Sequence, residues 1–262
     1  MRRDQLRAML GGLADGTRTI EEVEAQLTAL PFEDIGFARI DHHRDLRTDA
    51  PEVIYSPGKT DAQLAEIFQR MAARDRLVMA SRVEAERVPV VTALLPSELQ
   101  GQLRYEPMCR LMWTGEPRPP SGRGVIAVVS AGTSDIPVAE EAARTLELLG
   151  NRVDRIWDVG VAGLQRVLSV RDRVAQAELA VVAAGMEGAL FSVLKGLVPL
   201  PVIAVPTRVG GGFDGLAALL SGLHACAPGV VVVGVDNGFG AGYAAHLFNL
   251  ERAAVEAGAE ST

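Results

Sequence analysis

The chain has 262 residues, 48% hydrophobic and 23% charged, enough for one large globular domain or two modest ones. A net charge of −7 argues against nucleic-acid backbone binding as the main task, and no apolar run reaches the roughly 18 residues of a membrane span. Cys109 and Cys226 are too few for a disulfide framework or a four-thiolate zinc site, and MRRDQLRAML lacks the apolar core of a secretory signal, so a cytoplasmic protein is expected, with neither nucleic acid nor membrane as partner.

In chain order, Thr19 and Glu22 have capping-box spacing ahead of apolar positions Ile20, Val23, Leu27 and Leu30, which predicts a helix. Residues 35–40 and 52–56 read as short strands. Thr60 and Gln63 repeat the capping box before Leu64, Ile67, Phe68 and Met71. Residues 77–80 and 88–93 read as further strands. Residues 1–115 are therefore expected to form a smaller α+β domain. Pro117, Pro119 and Pro120 make residues 116–123 a stiff linker, and 124–262 form a second domain.

That second part alternates strictly. Val- and Ile-rich runs at 124–130, 152–157, 179–184, 202–206 and 230–236 read as strands buried on both faces. Helical patterns follow at 138–149, 161–170, 188–197, 215–225 and 243–257. The alternation predicts an α/β fold with a doubly wound parallel sheet of five or more strands. Ligands of such sheets bind beyond the carboxyl ends of the strands, where the strand order reverses.

The loops after the strands are therefore the informative segments. Ser130-Ala131-Gly132-Thr133-Ser134-Asp135 offers small residues, hydroxyls and the start of a helix. It reads as a phosphate cradle, or as an ordinary helix cap at Ser134 or Asp135. Asp158, in Asp158-Val159-Gly160, is placed to bind a ribose hydroxyl or to cap a helix. Glu187, in Gly185-Met186-Glu187-Gly188, reads as a general acid or base, or as a favourable charge at a helix head. Thr207-Arg208 leads into Gly210-Gly211-Gly212, where Arg208 and the loop amides are placed to hold phosphate, or form a solvated turn. Asn237-Gly238 by itself is a turn signal. Cys226 reads on spacing alone as a small buried hydrophobe, and a helix C-terminus raises a thiol's pKa. His224, His246 and the pair His42-His43 lack metal-ligand spacing, and no zinc site can be assembled.

Several of these loops resemble known families. Val128 to Asp135, Ala183 to Leu190 and Pro201 to Thr207 resemble the phosphoribosylaminoimidazole carboxylases (the PurE family). In that family the Gly-hydroxyl-Ser-Asp loop binds the substrate phosphate. The purine enzymes have a Ser-Ala-His-Arg segment whose histidine moves protons; residues 158–163 here contain no histidine. Asp158-Val159-Gly160-Val161-Ala162-Gly163, Gly185-Met186-Glu187-Gly188-Ala189-Leu190, Cys226-Ala227-Pro228-Gly229 and Asp236-Asn237-Gly238-Phe239 resemble a sister family, the carboxylase/hydrolase of nickel-pincer nucleotide synthesis (LarB), which makes the lactate racemase cofactor. Asp41-His42-His43-Arg44, Pro51-Glu52-Val53-Ile54-Tyr55 and Gly58-Lys59-Thr60 resemble its N-terminal region. Where that family carries a bulkier residue between glycines, this chain has Gly210-Gly211-Gly212.

The resemblance implies nicotinic acid adenine dinucleotide and carbon dioxide as substrates. It implies pyridinium-3,5-biscarboxylic acid mononucleotide and AMP as products. It implies Cys226 as the thiolate that adds to the ring; Glu187 is the candidate base for that chemistry, and burial would have to raise its pKa. Substrate contacts are then expected from Ser130, Gly132, Thr133, Ser134, Asp135, Asp158, Gly160, Gly185, Met186, Thr207, Arg208, Asn237 and Gly238. No tightly bound cofactor is expected, although a divalent ion such as magnesium would serve the anhydride step beside Arg208. The purine relatives are octamers, so a homo-oligomer is expected. Two alternatives stand beside this reading: a purine carboxylase or mutase, and a non-catalytic nucleotide-binding module.

Overall fold

The computed structural model describes residues 3–28, 32–42, 44–48 and 50–251. The chain divides into two compact units, Met1–Arg118 and Pro119–Thr262.

In the first unit, helices α1 (Arg3–Ala14) and α2 (Ile20–Thr28) are followed by hairpin strands β1 (Phe32–Asp34) and β2 (Arg39–Asp41). Then come α3 (Arg44–Thr48), β3 (Val53–Tyr55), α4 (Asp61–Ala72), β4 (Leu77–Ser81), α5 (Arg87–Leu94), α6 (Ser97–Gln100), β5 (Arg104–Glu106) and β6 (Leu111–Gly115). Both capping boxes form: each threonine hydroxyl accepts from the amide three residues on, and Glu22 and Gln63 reach back to the threonine amides. The sheet order is β3-β4-β6-β5, with β3 and β4 parallel and the other pairs antiparallel. Helix α4 buries Leu64, Ile67, Phe68 and Met71, as its apolar spacing requires.

Three expectations for this unit change. Residues 35–38 are a turn rather than strand: Gly36 takes φ +85, and the Asp34 carboxylate accepts from its amide. Residues 88–93 belong to helix α5, not a strand. Val91 and, one turn on, Leu95 face the core, and Pro89 lies in the first turn, where no intrahelical N–H is needed. Strand β6, buried along most of its length, carries no expectation from the pattern. Leu30 lies outside the described residues.

The second unit runs β7 (Val125–Ser130), α7 (Ile136–Leu148), β8 (Arg152–Ile156), α8 (Leu164–Val174), β9 (Leu179–Ala184), α9 (Ala189–Leu197), β10 (Val202–Pro206), α10 (Leu216–Leu223), β11 (Val230–Val232) and α11 (Gly238–Asn249). Single 3-10 turns, Thr133–Asp135 and Val161–Gly163, lead into α7 and α8. All five strands are parallel, in the order β11-β10-β9-β7-β8. Successive strand residues face opposite layers. Ala127, Val129 and Val182 pack with Val167, Phe191 and Leu194 of α8 and α9. Ile126, Val128 and Val181 pack with Ala139, Ala142, Leu146 and Ala241 of α7 and α11. The architecture is α/β and doubly wound, preceded by the smaller α+β unit.

Boundaries shift where tertiary packing decides. Strand β11 ends at Val232, and residues 233–237 turn instead, with Asp236 at φ +54. Helix α11 begins at Gly238, five residues before the apolar pattern does: Asn237 caps it, and Gly238 lacks the β-carbon that would run into the Val138 carbonyl of α7. It ends at Asn249, so the expected helix does not extend over 250–251, and residues 252–257 lie outside the described residues. The end of the proline-rich segment is bonded into the second unit: Ser121 N donates to Gly150 O and Arg123 N to Asn249 O. No described helix is long and apolar enough to cross a membrane.

Candidate active site

The chain passes from β7 out to β8, then returns across β7 to β9. The loops after β7 and β9 therefore diverge, and a cavity of about 300 Å³ opens between them. It brings together Gly132, Thr133, Ser134 and Asp135 from the first loop, Asp158 and Gly160 from the second, and Gly185, Met186 and Glu187 from the third.

The first loop forms a cradle at the head of α7. Thr133 and Ser134 are exposed. Neither Ser134 nor Asp135 caps α7 with its side chain. Asp135 is buried, accepting from Gly132 N at 2.8 Å and from Thr207 Oγ1 at 2.5 Å. Burial pushes its carboxyl above the ordinary value of 3.8, while these donors pull it down. Thr207 does not line the cavity but braces the cradle from behind through Asp135, which does line it. Ser130 is likewise buried; its Oγ accepts from Asp158 N at 3.1 Å and ties the first loop to the second.

This brace yields a pH-dependent expectation. Thr207→Val removes a donor to a buried carboxylate and should cost about 1.5–3 kcal/mol while that carboxylate is ionised. The lost bond favours the ionised form, so the cost is largest above the folded pKa of Asp135. Losing the donor raises the carboxyl further, so the cost shrinks as pH falls from the variant's folded pKa to the wild type's, both above 3.8. Urea unfolding of both proteins across pH checks it; a cost independent of pH counts against the brace.

The second and third loops approach closely enough to need glycine. A β-carbon at Gly160 would sit 2.8 Å from Ala131 O, and one at Gly185 would collide with Val209 O. Met186, at φ +53, donates its amide to Val209 O at 2.8 Å. The glycine loop passes over Met186, and a side chain at Gly210 would strike it. Glu187 is exposed and has no hydrogen bond or ion pair to a described residue. The burial expected for a poised base is not supplied by its own chain.

Besides Ser130 and Thr207, four more expected site residues lie outside this cavity. Arg208 is on the same sheet edge but pairs with Asp236, its amide donating to Oδ1 at 3.1 Å and Nε standing 3.5 Å from Oδ2. Asn237 caps α11, accepting from Gly240 N at 2.8 Å. Gly238 serves the contact of α11 with α7. Cys226 is exposed rather than buried, and lies between the end of α10 and the start of β11. Its loop abuts the C-terminal turn of α9: a β-carbon at Gly229 would meet Lys195, and Val202 N donates to Gly229 O. Cys226 therefore lies at the amino edge of the sheet, across its full width from the cavity. Cys109 is buried, as a structural thiol should be.

One lining residue has no counterpart in the sequence reading. Arg166, in the first turn of α8, places Nη1 3.0 Å from Asp158 Oδ1. Only the folding back of the 158–163 loop shows that this helix arginine faces the cavity.

Residues 125–260 match the family model described as AIR carboxylase, and residues 32–116 match that of the LarB/PurE-like N-terminal domain. The class is thus a carboxylase-type α/β protein. The chain belongs to the AIR carboxylase family, in the form that carries a LarB/PurE-like N-terminal domain. An uncharacterized protein of Methanocaldococcus jannaschii, MJ0165, is 34% identical over 247 residues, 92% of this chain and 96% of that one. Among solved structures, Treponema denticola PurE is 18% identical, covering 50% of this chain and 87% of its own, with a TM-score of 0.38. A PurE2 variant of the same organism is 19% identical with the same coverage and a TM-score of 0.39.

Proposed function

We propose that the protein carboxylates nicotinic acid adenine dinucleotide and cleaves its phosphoanhydride, giving pyridinium-3,5-biscarboxylic acid mononucleotide and AMP for nickel-pincer cofactor synthesis. The observation that carries this reading is the cavity itself. It sets Glu187, a carboxylate with no partner among the described residues, beside a hydroxyl-lined cradle, and the loop after β8 holds no histidine.

A pyridinium ring is too electron-poor to attack carbon dioxide. Addition of a thiolate at the carbon para to nitrogen gives a neutral dihydropyridine whose free meta carbon is an enamine nucleophile. That carbon bonds to carbon dioxide, Glu187 removes its proton, and the electron pair expels the thiolate as aromaticity returns. The thiol is Cys226. Strand β9 alone spans six residues, about 3.3 Å each, so Cys226 and Glu187 of one chain are too far apart to share a ring. The thiol acting at one cavity thus comes from a second copy, and the enzyme is a homo-oligomer. The second copy would also cover Glu187 and supply the burial a base needs. No tightly bound cofactor takes part; Arg208, the amides at the head of α7 or added magnesium neutralise the anhydride phosphates.

Incubation with nicotinic acid adenine dinucleotide and bicarbonate, followed by mass analysis, tests the reading. A product gaining one carboxylate with release of AMP is expected. Turnover of an aminoimidazole ribonucleotide instead selects the purine reading, and nucleotide binding without turnover selects the regulatory one. Ser134→Leu should fill the cradle and weaken nucleotide binding about ten- to a hundredfold; unchanged affinity by calorimetry refutes the cradle.

A further inference from the structure

The cavity is lined by three acidic residues, Asp135, Asp158 and Glu187, of which Asp135 is buried against Thr207, and by a single cationic one, Arg166. We infer that Arg166 reads the ring carboxylate of the pyridine substrate and so separates the acid dinucleotide from its amide counterpart. This rests on the carboxylase reading above and adds to it the residue that sets specificity.

The phosphates already have donors, the Thr133 and Ser134 hydroxyls and the head of α7. The ring carboxylate has none there. Arg166 is held ready by backbone: Nη1 donates to Asp158 O at 3.1 Å and Nη2 to Gly160 O at 3.3 Å. A side chain at Gly163 would crowd its Nε, at 2.8 Å. The guanidinium is thus a fixed fork, and it already carries a carboxylate, that of Asp158.

That resident carboxylate is displaceable. Both partners of the pair are close to half exposed, 44% and 49%, so the ion pair is weak and exchanges readily. An entering carboxylate replaces like with like at Nη1. A carboxamide is neutral and offers the fork one acceptor oxygen where a carboxylate offers two, so it competes poorly with Asp158. The Asp158 backbone stays where Ser130 Oγ holds its amide while the side chain swings free. The released carboxylate is then available to the ribose hydroxyls. Acid binding thereby completes the ribose contact, and amide binding leaves it unmade.

Calorimetry on the full chain tests this with three ligands: nicotinic acid adenine dinucleotide, nicotinamide adenine dinucleotide and AMP. Wild type should bind the acid at least about tenfold more tightly than the amide. Arg166→Gln should lose about ten- to a hundredfold for the acid, with the amide and AMP nearly unchanged. Arg166→Lys, which keeps the charge but not the fork, should recover part of the loss and serves if the glutamine variant does not fold. Equal losses for all three ligands would make Arg166 a phosphate ligand or a loop staple and overturn the inference, as would no loss at all. A wild type that prefers the acid yet yields no carboxylated product retires the carboxylase reading and leaves the role of Arg166 standing.

Discussion

Cys226→Ser should bind the acid dinucleotide almost as wild type does and carboxylate it at least about a thousandfold more slowly. Serine is smaller than the reaction is demanding: its hydroxyl stays protonated near neutrality, and an alkoxide is a poor leaving group when the ring must regain aromaticity. Anhydride cleavage is separate chemistry and should survive in part. Intact mass of the wild type should show an adduct of one substrate or product equivalent that is absent from the variant. Cys109→Ser should keep activity if the hydroxyl is tolerated at that buried site.

The position of Cys226 adds a sharper outcome. If thiol and cavity belong to different copies, Cys226→Ser and Glu187→Gln disable different halves of each site. Co-expressed in equal amounts, they should form mixed oligomers in which about a quarter of the sites pair an intact thiol with an intact carboxylate. Activity should rise to about that fraction of wild type although each variant alone is inactive. A mixture as dead as its components would place thiol and carboxylate within one chain, and full carboxylation by Cys226→Ser would end the covalent mechanism.

The degree to which such residues can be read from sequence follows from what each signal encodes. Strands β7, β9 and β10 are legible because burial on both faces demands continuous Val, Ile and Ala. Their order is not legible, since parallel pairing uses backbone groups that every residue shares. The cradle is legible at Gly132, Thr133 and Ser134 because hydroxyls and small residues at a helix head are uncommon in a core. Asp135 and Thr207 carry the same chemistry but point inward at each other, a contact across 72 positions that local pattern does not contain. Gly238 and Gly160 look alike in sequence, both lacking a β-carbon for the sake of close approach; one admits a neighbouring helix and the other a neighbouring loop. Residues 88–93 mislead because β-branched residues favour strands locally, while the core wants Val91 and Leu95 on one helical face. Arg166 is invisible until the 158–163 loop folds back onto it.

Glu187→Gln should leave the fold and dinucleotide affinity nearly intact and slow carboxylation by about a hundred- to ten-thousandfold. The side chain is exposed and makes no hydrogen bond or ion pair with a described residue, so the change should cost within about 0.5 kcal/mol of stability. The consequence follows from the order of steps. Thiolate addition and bond formation to carbon dioxide need no base; only removal of the ring proton does. The variant should therefore stall after those steps, and the adduct on Cys226, one carboxyl equivalent heavier than substrate, should accumulate and be visible in the intact mass. Deuterium at the carboxylated ring carbon should then slow product formation in the variant more than in the wild type, because proton removal has become rate-limiting. Normal turnover by Glu187→Gln would remove Glu187 from the reaction. Loss of turnover with no adduct at all would place its role before proton removal, in setting the ring where the thiol can reach it.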